Sequence, residues 1–257
     1  MKRNGAPLLA LAVAVLCAGS LAAQEPTPVP GVVAPAPAVD SVAPLDRIDG
    51  GLMRAGAQTF RLTLVRADGP TAIGTRAVEV SEASLGGTPA WLFVERRTGT
   101  AVPTLDSLWL SRGDLAPRRW VASVDRTHLA ASFARDSVFG AVQSYAGRFS
   151  FAAGVLPGVL VTPAMAEKIV ELLPLRVGYR AGASLLLIDT GTPRALPAEL
   201  LVEREERTRI TTGEVDCWVV LLRAGAMEER LWVEKSRRTV VRTEQGSAVG
   251  RIVAELI

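Results

Sequence analysis

From residue 56 onward, apolar and polar side chains alternate with a period of two along most of the chain. Phe60, Leu62 and Leu64 alternate with Thr59, Arg61 and Thr63, as in a strand with one buried face. Ala77-Val78-Glu79-Val80-Ser81 repeats the pattern, Leu85-Gly86-Gly87-Thr88-Pro89 reads as a turn, and Ala90 to Glu95 forms a fuller apolar strand. Leu108 and Leu110 flank Trp109 in another strand. Residues 118–124 and 127–134 make a hairpin about Asp125-Arg126, and 137–144 and 148–153 carry the alternation on. Further strands are expected near 183–189, 198–210, 215–223, 229–235, 238–244 and 248–256. Strands at this spacing, separated by turn signals, predict a mainly β sandwich or barrel.

One segment departs from the rhythm. Thr162-Pro163 supplies an N-cap and a first-turn proline, apolar residues fall at 165, 169, 172 and 173, and Pro174 stops the run. This predicts one short covering helix over about 163–173, with its Met165/Ile169/Leu172 stripe against a sheet.

A weak internal repeat runs through the strands. Ala90-Trp91-Leu92-Phe93-Val94, then 106–112 (Asp-Ser-Leu-Trp-Leu-Ser-Arg), then Pro117-Arg118-Arg119 forms one unit. Cys217-Trp218-Val219-Val220-Leu221, then 229–235 (Glu-Arg-Leu-Trp-Val-Glu-Lys), then Val240-Val241-Arg242 forms the other. In the second unit Leu231 and Val233 share one face, and Arg230, Trp232 and Glu234 share the opposite one.

The N-terminus carries a different signal. Lys2 and Arg3 precede an apolar run from Pro7 to Cys17, followed by Ala18-Gly19-Ser20-Leu21-Ala22-Ala23. This order of charged, apolar and small residues predicts a cleavable signal peptide over 1–23. The run is shorter than the roughly 20 apolar residues of a membrane span. A lipoprotein reading would place the lipid on Cys17, although Leu16 stands where such signals prefer a small residue. Residues 24–44 are Pro-rich and read as a flexible linker, leaving a single β-rich domain over 45–257. The expected location is therefore exported: periplasmic, or associated with the cell envelope.

Composition then narrows the chemistry. Of 29 basic and 26 acidic side chains, Lys2 and Arg3 leave with the signal, so the mature chain is close to neutral. Arginines scattered over alternating strands do not form the single basic face that nucleic acid requires. Loss of Cys17 leaves Cys217 alone in an apolar run, a buried small hydrophobe rather than a nucleophile. His128 is the one histidine and has no second ligand-type residue beside it.

Several strings resemble DUF3108-like bacterial envelope proteins. Glu214-Val215-Asp216-Cys217-Trp218, Leu231-Trp232-Val233-Glu234-Lys235 and Val241-Arg242 resemble the C-terminal signature of that family. Residues 172–179 resemble its helix-to-strand connection, and residues 108–117 its strand-then-Leu-x-Pro step. The resemblance implies a large antiparallel curved sheet or incompletely closed barrel, similar to the LolA/LolB lipoprotein-carrier architecture, with a helix closing one opening. In those carriers the concave face binds acyl chains. No functional residues transfer with the resemblance, and a fold analogy alone does not assign function.

The sharpest catalytic string is 185–192, ending Asp189-Thr190-Gly191-Thr192, which resembles the Asp-Thr-Gly element of aspartic proteases. Ala248-Val249-Gly250-Arg251 resembles the later support strand of retropepsins. One such element per chain would require a homodimer, with two aspartates sharing a proton. The plainer reading is a strand end followed by a turn at Pro193. Glu203, Glu205 and Glu206 with Arg204 and Arg207 read as a solvated strand edge or face rather than paired acid-base carboxylates. No Gly-x-Ser-x-Gly, P-loop, paired histidines or Cys-x-x-Cys is present, so neither a cofactor nor a metal is expected. The favoured expectation is a non-enzymatic exported protein that binds an apolar ligand (a lipid or acyl chain) or an envelope protein on a curved sheet. The alternative is a secreted retropepsin-like protease using Asp189.

Overall fold

The computed structural model describes residues 45, 48–134, 137–154, 160–189 and 192–257, and in it the alternating segments become fifteen strands of one sheet. The signal peptide and linker expected at 1–23 and 24–44 lie outside the described residues. The first half is a meander of β1 (Gly56–Arg66), β2 (Gly69–Leu85), β3 (Thr88–Thr98), β4 (Thr104–Ser111), β5 (Pro117–Val124), β6 (Thr127–Phe133), β7 (Ser137–Ser144) and β8 (Gly147–Gly154). A two-residue β9 (Leu160–Val161) leads into the single helix, α1 (Pro163–Leu172). A second meander follows: β10 (Arg180–Asp189), β11 (Thr192–Ile210), β12 (Gly213–Ala224), β13 (Met227–Glu234), β14 (Thr239–Ser247) and β15 (Gly250–Leu256).

Both meanders hang from one central ladder. β1 pairs with β15, Phe60 opposite Leu256 and Leu64 opposite Ile252, so the strand order runs from β8 down to β1 and then from β15 down to β9. Neighbours are antiparallel except β9 and β10, which are parallel. The far strands are β8 and β9. β8 approaches β11, but no ladder joins them among the described residues, so the barrel is incompletely closed.

Alternation fixes which face is inside. Phe60, Phe93, Leu108, Leu185 and Leu231 are each 0–1% exposed and belong to one continuous core with Met165, Ala166, Ile169 and Val170 of α1. The helix packs against β10, β13 and β14, filling the concave face with its apolar side as the stripe of Met165 and Ile169 predicts. Thr162 holds the N-cap position, yet its hydroxyl makes no capping bond and is buried without a partner. A second, smaller cluster of Ile210, Cys217, Val219, Trp232 and Val241 lies on the opposite face. There Trp232 donates its indole N–H to Glu206 at 3.1 Å, and Arg242 lies 5.1 Å from its ring centroid.

The sequence repeat is also a structural one. A bulge follows Trp109 in the β4–β5 ladder and another follows Trp232 in the β13–β14 ladder. Arg119 lies over Trp109 as Arg242 lies over Trp232, and Arg112 lies over Trp91 as Lys235 lies over Trp218. Each unit thus carries two cation–π contacts at matching positions.

β11 is longer than its pattern predicts, starting at Thr192 rather than near 198. Pro193 and Pro197 pair only with β10, because the ladder to β12 begins at Ala198. A proline is tolerated where a strand has one neighbour, since its missing N–H can face away from the ladder.

Candidate functional site

Two features stand out: a cluster of charges on the inner face, and a cleft at one mouth of the sheet. The cluster begins with Arg76. Along β2, Arg76, Val78 and Val80 share the inner face; along β3, Phe93, Glu95 and Arg97 do; on β4, Asp106 sits directly opposite Glu95. Arg76 forms a two-pronged ion pair with Glu167 of α1, at 2.5 and 2.7 Å, with both side chains under a tenth exposed. Its guanidinium also lies 4.5 Å from the Phe60 ring centroid. Burial alone would lower the Arg76 pKa, but the charges of Glu167 and Glu95 outweigh that and hold it above its ordinary value. Arg97 donates to Glu95 at 2.7 Å.

Two carboxyl groups in this interior are shifted toward neutrality. Burial pushes Asp106 up to about 6; the Trp120 indole N–H, 3.0 Å away, pulls the other way. Glu229, facing the cluster from β13, is pushed up to about 7 by burial and by the charge of Glu167, against the opposing pull of Arg76 and Arg97.

The cleft has a volume of about 760 Å³, within the range of small-molecule sites. Its near wall is the segment ahead of β1. Leu45 donates its N–H to Gly182 at 2.6 Å, Gly50 donates to Gly113 at 2.9 Å, and Trp91 donates its indole N–H to the Gly50 carbonyl at 3.1 Å. These bonds hold Leu45 and residues 48–53 against the end of the sheet. The far wall is the C-terminal turn of α1 with the β13–β14 turn. Glu171 accepts from Lys168 at 2.9 Å and from the Val240 N–H at 2.8 Å. Burial raises its pKa, with Lys168 opposing. Arg238, with φ of 52°, donates to the Glu171 carbonyl at 3.2 Å and to the Leu173 carbonyl, capping the helix end. Leu52 and Ile257, about half exposed, form apolar lips, and Val80, Leu172 and Leu256 line the cleft as well.

The residues singled out in the sequence fall elsewhere. Cys217 is buried in the outer cluster, and burial pushes its thiol up to about 11, which leaves no thiolate for attack near neutral pH. His128 is exposed on the outer face and shares a 3.0 Å hydrogen bond between its Nδ1 and the Ser123 hydroxyl across β5 and β6. Among the described residues that pair has no third group orienting it. Glu203, Glu205 and Glu206 are ion-paired with Arg230, Lys235 and Arg204, with Glu205 and Glu206 on opposite faces of β11. The backbone of Asp189 ends β10 opposite Thr192 in a hairpin register; Thr190, Gly191 and the Asp189 carboxylate lie outside the described residues. No group of three or more metal-ligating side chains occurs among the described residues. The inner-face charges were missed in the sequence, although the alternation that buries Val78 and Phe93 places Arg76, Glu95 and Arg97 on the same face.

No protein-family model and no curated protein matches the chain, so the DUF3108-like resemblance rests on the short strings quoted above. Among solved structures the chain is similar to a β-barrel-like protein of a domain of unknown function, DUF1849, from Brucella abortus. That match has a TM-score of 0.49 and 10% identity, and covers 82% of this chain and 97% of that one. It is also similar to the hypothetical lipoprotein YmcC from Escherichia coli, with a TM-score of 0.32 and 12% identity over 80% and 85% of the two chains.

Proposed function

We propose that the chain is a non-enzymatic exported envelope protein that holds an amphiphilic ligand at the mouth of its sheet. The observation carrying this reading is the cleft of about 760 Å³ with apolar lips, set against an inner face already filled. An acyl chain on the concave face, the site the carrier-like resemblance implies, would have to displace α1 and break the Arg76–Glu167 pair. Among the described side chains, the Cys217 thiol is protonated and buried, and the inner carboxylates sit in a charge cluster with Arg76 and Arg97. Envelope placement rests on the N-terminal pattern of Lys2 to Ala23.

Native mass spectrometry of the full chain purified from its exporting host, followed by solvent extraction, tests the proposal. An extractable amphiphile bound to the wild type and lost from Leu52→Asp is the expected result. A wild-type protein of bare polypeptide mass that takes up no added amphiphile overturns it.

A further inference from the structure

We propose that the mouth cleft selects anionic amphiphiles, with Arg54 and Arg238 neutralising the headgroup and the apolar lips of Leu52 and Ile257 carrying the chain. This deepens the function proposed above and rests on it. The case is one of side-chain charge left over once the ion pairs among the described residues are counted. Four cations line the cleft: Arg54, Lys168, Arg237 and Arg238, against the single acidic side chain of Glu171. Lys168 is satisfied by Glu171, which is itself saturated by Lys168 and the Val240 N–H. Arg237 is held by Glu234, just outside the cleft, at 2.5 Å. Arg54 and Arg238 remain. Among the described residues Arg54 donates to the Gly51 and Met53 carbonyls, at 2.9 and 3.0 Å, and Arg238 donates to the Glu171 and Leu173 carbonyls and lies 5.6 Å from the Trp218 ring centroid. No carbonyl carries a full negative charge, so the helix end offsets only part of the Arg238 charge and nothing offsets that of Arg54 among the described residues.

An incoming ligand must meet this excess. A guanidinium presents a planar fork of donors suited to carboxylate or phosphate oxygens, and hydrogen bonds between ions are roughly twice as strong as neutral ones. A neutral amphiphile would cover these cations without pairing them, which costs desolvation free energy; a cationic one would be repelled. The lips add the second requirement. Leu52 and Ile257 are among the few large apolar side chains left exposed among the described residues, and both flank this cleft. An inorganic anion would leave them in water.

The test is calorimetric titration of the full chain with oleate below its micellar concentration, with oleyl alcohol and with inorganic phosphate. Arg54→Glu is the diagnostic variant, because Arg54 bonds only to its own turn and the substitution leaves the helix cap of Arg238 intact. Oleate is expected to bind about tenfold or more tightly than oleyl alcohol, and Arg54→Glu to remove most of that preference. Circular dichroism confirms that the variant is folded. Equal affinity for oleate and oleyl alcohol sinks the anionic class while leaving amphiphile binding standing; no binding of either sinks both. Phosphate binding as tight as oleate, or oleate binding unchanged in Arg54→Glu or in Leu52→Asp, also overturns the proposal.

Discussion

Asp106 and Glu229 occupy equivalent positions in the two strand repeats, each three residues before the tryptophan that precedes a bulge, and each turns its carboxyl group to the inner face. Both are pushed up by burial, to about 6 and about 7. A carboxyl whose folded pKa lies above its unfolded value binds its proton more tightly when folded. The stability this contributes is complete below the unfolded pKa and lost as pH rises through the folded one. The protein is therefore expected to lose stability between about pH 4 and pH 7, with Glu229 acting in the upper part of that window. Glu229→Gln, a permanent neutral mimic, should flatten the upper half in urea titrations run across pH. Asp114, Glu206 and Glu234 have lowered pKa values and act in the opposite sense, at more acid pH. An unchanged slope in the variant would show that Glu229 is not the group responsible.

The Arg76–Glu167 pair ties the helix to the first meander, and removing one partner strands the other. Glu167→Ala is expected to cost about 3–5 kcal/mol by leaving a buried guanidinium uncompensated. Replacing both residues with apolar side chains of similar volume, as in Arg76→Met with Glu167→Leu, should recover most of that loss. Chemical denaturation of the two single variants and the double variant measures the coupling; simple additivity would contradict it.

Gly140 lies on β7 where Phe151 of β8 crosses it. A Cβ there would overlap the Ala130 carbonyl oxygen and come within 2.9 Å of Ala131 Cα and Phe151 Cζ. Gly140→Ala should destabilise by about 1–3 kcal/mol, the usual cost of overpacking. The neighbouring Ala141→Ser, on the outer face, serves as the control. Thermal melts of the two proteins compare them directly.

Cys217 should resist alkylation in the folded protein. With the thiol buried and pushed up to about 11, iodoacetamide at pH 8 is expected to label it only after urea unfolds the chain. Rapid stoichiometric labelling under native conditions would contradict the burial.

Much of this architecture was legible in the sequence, because a period of two is hard to disguise when one face is buried. Phe60, Leu62 and Leu64 announced β1, Asp125-Arg126 announced the β5–β6 hairpin, and the helix ended within one residue of expectation. The Trp109 and Trp232 strings announced the internal repeat, and the matching bulges appear only in the structure. The site was less legible, for a physical reason. Arg76, Glu95 and Glu167 are charged residues on inward faces, and a binary pattern reads charge as exposure; Arg76 and Glu167 pair across 91 positions, and Glu95 pairs with Arg97 of its own strand. The cleft is assembled from residues near 54, 171, 238 and 257, which nothing local connects.

The central ladder of β1 with β15 has a consequence for assembly order. Each meander forms through neighbours in sequence, but the join between them needs strands separated by nearly the whole described chain. Contacts of such long sequence separation slow folding. The two halves of the sheet cannot be sealed together until β15 is available, so a chain still emerging from a ribosome would lack its middle seam. The topology itself works as a timer, delaying the finished sheet until the last strand has been made.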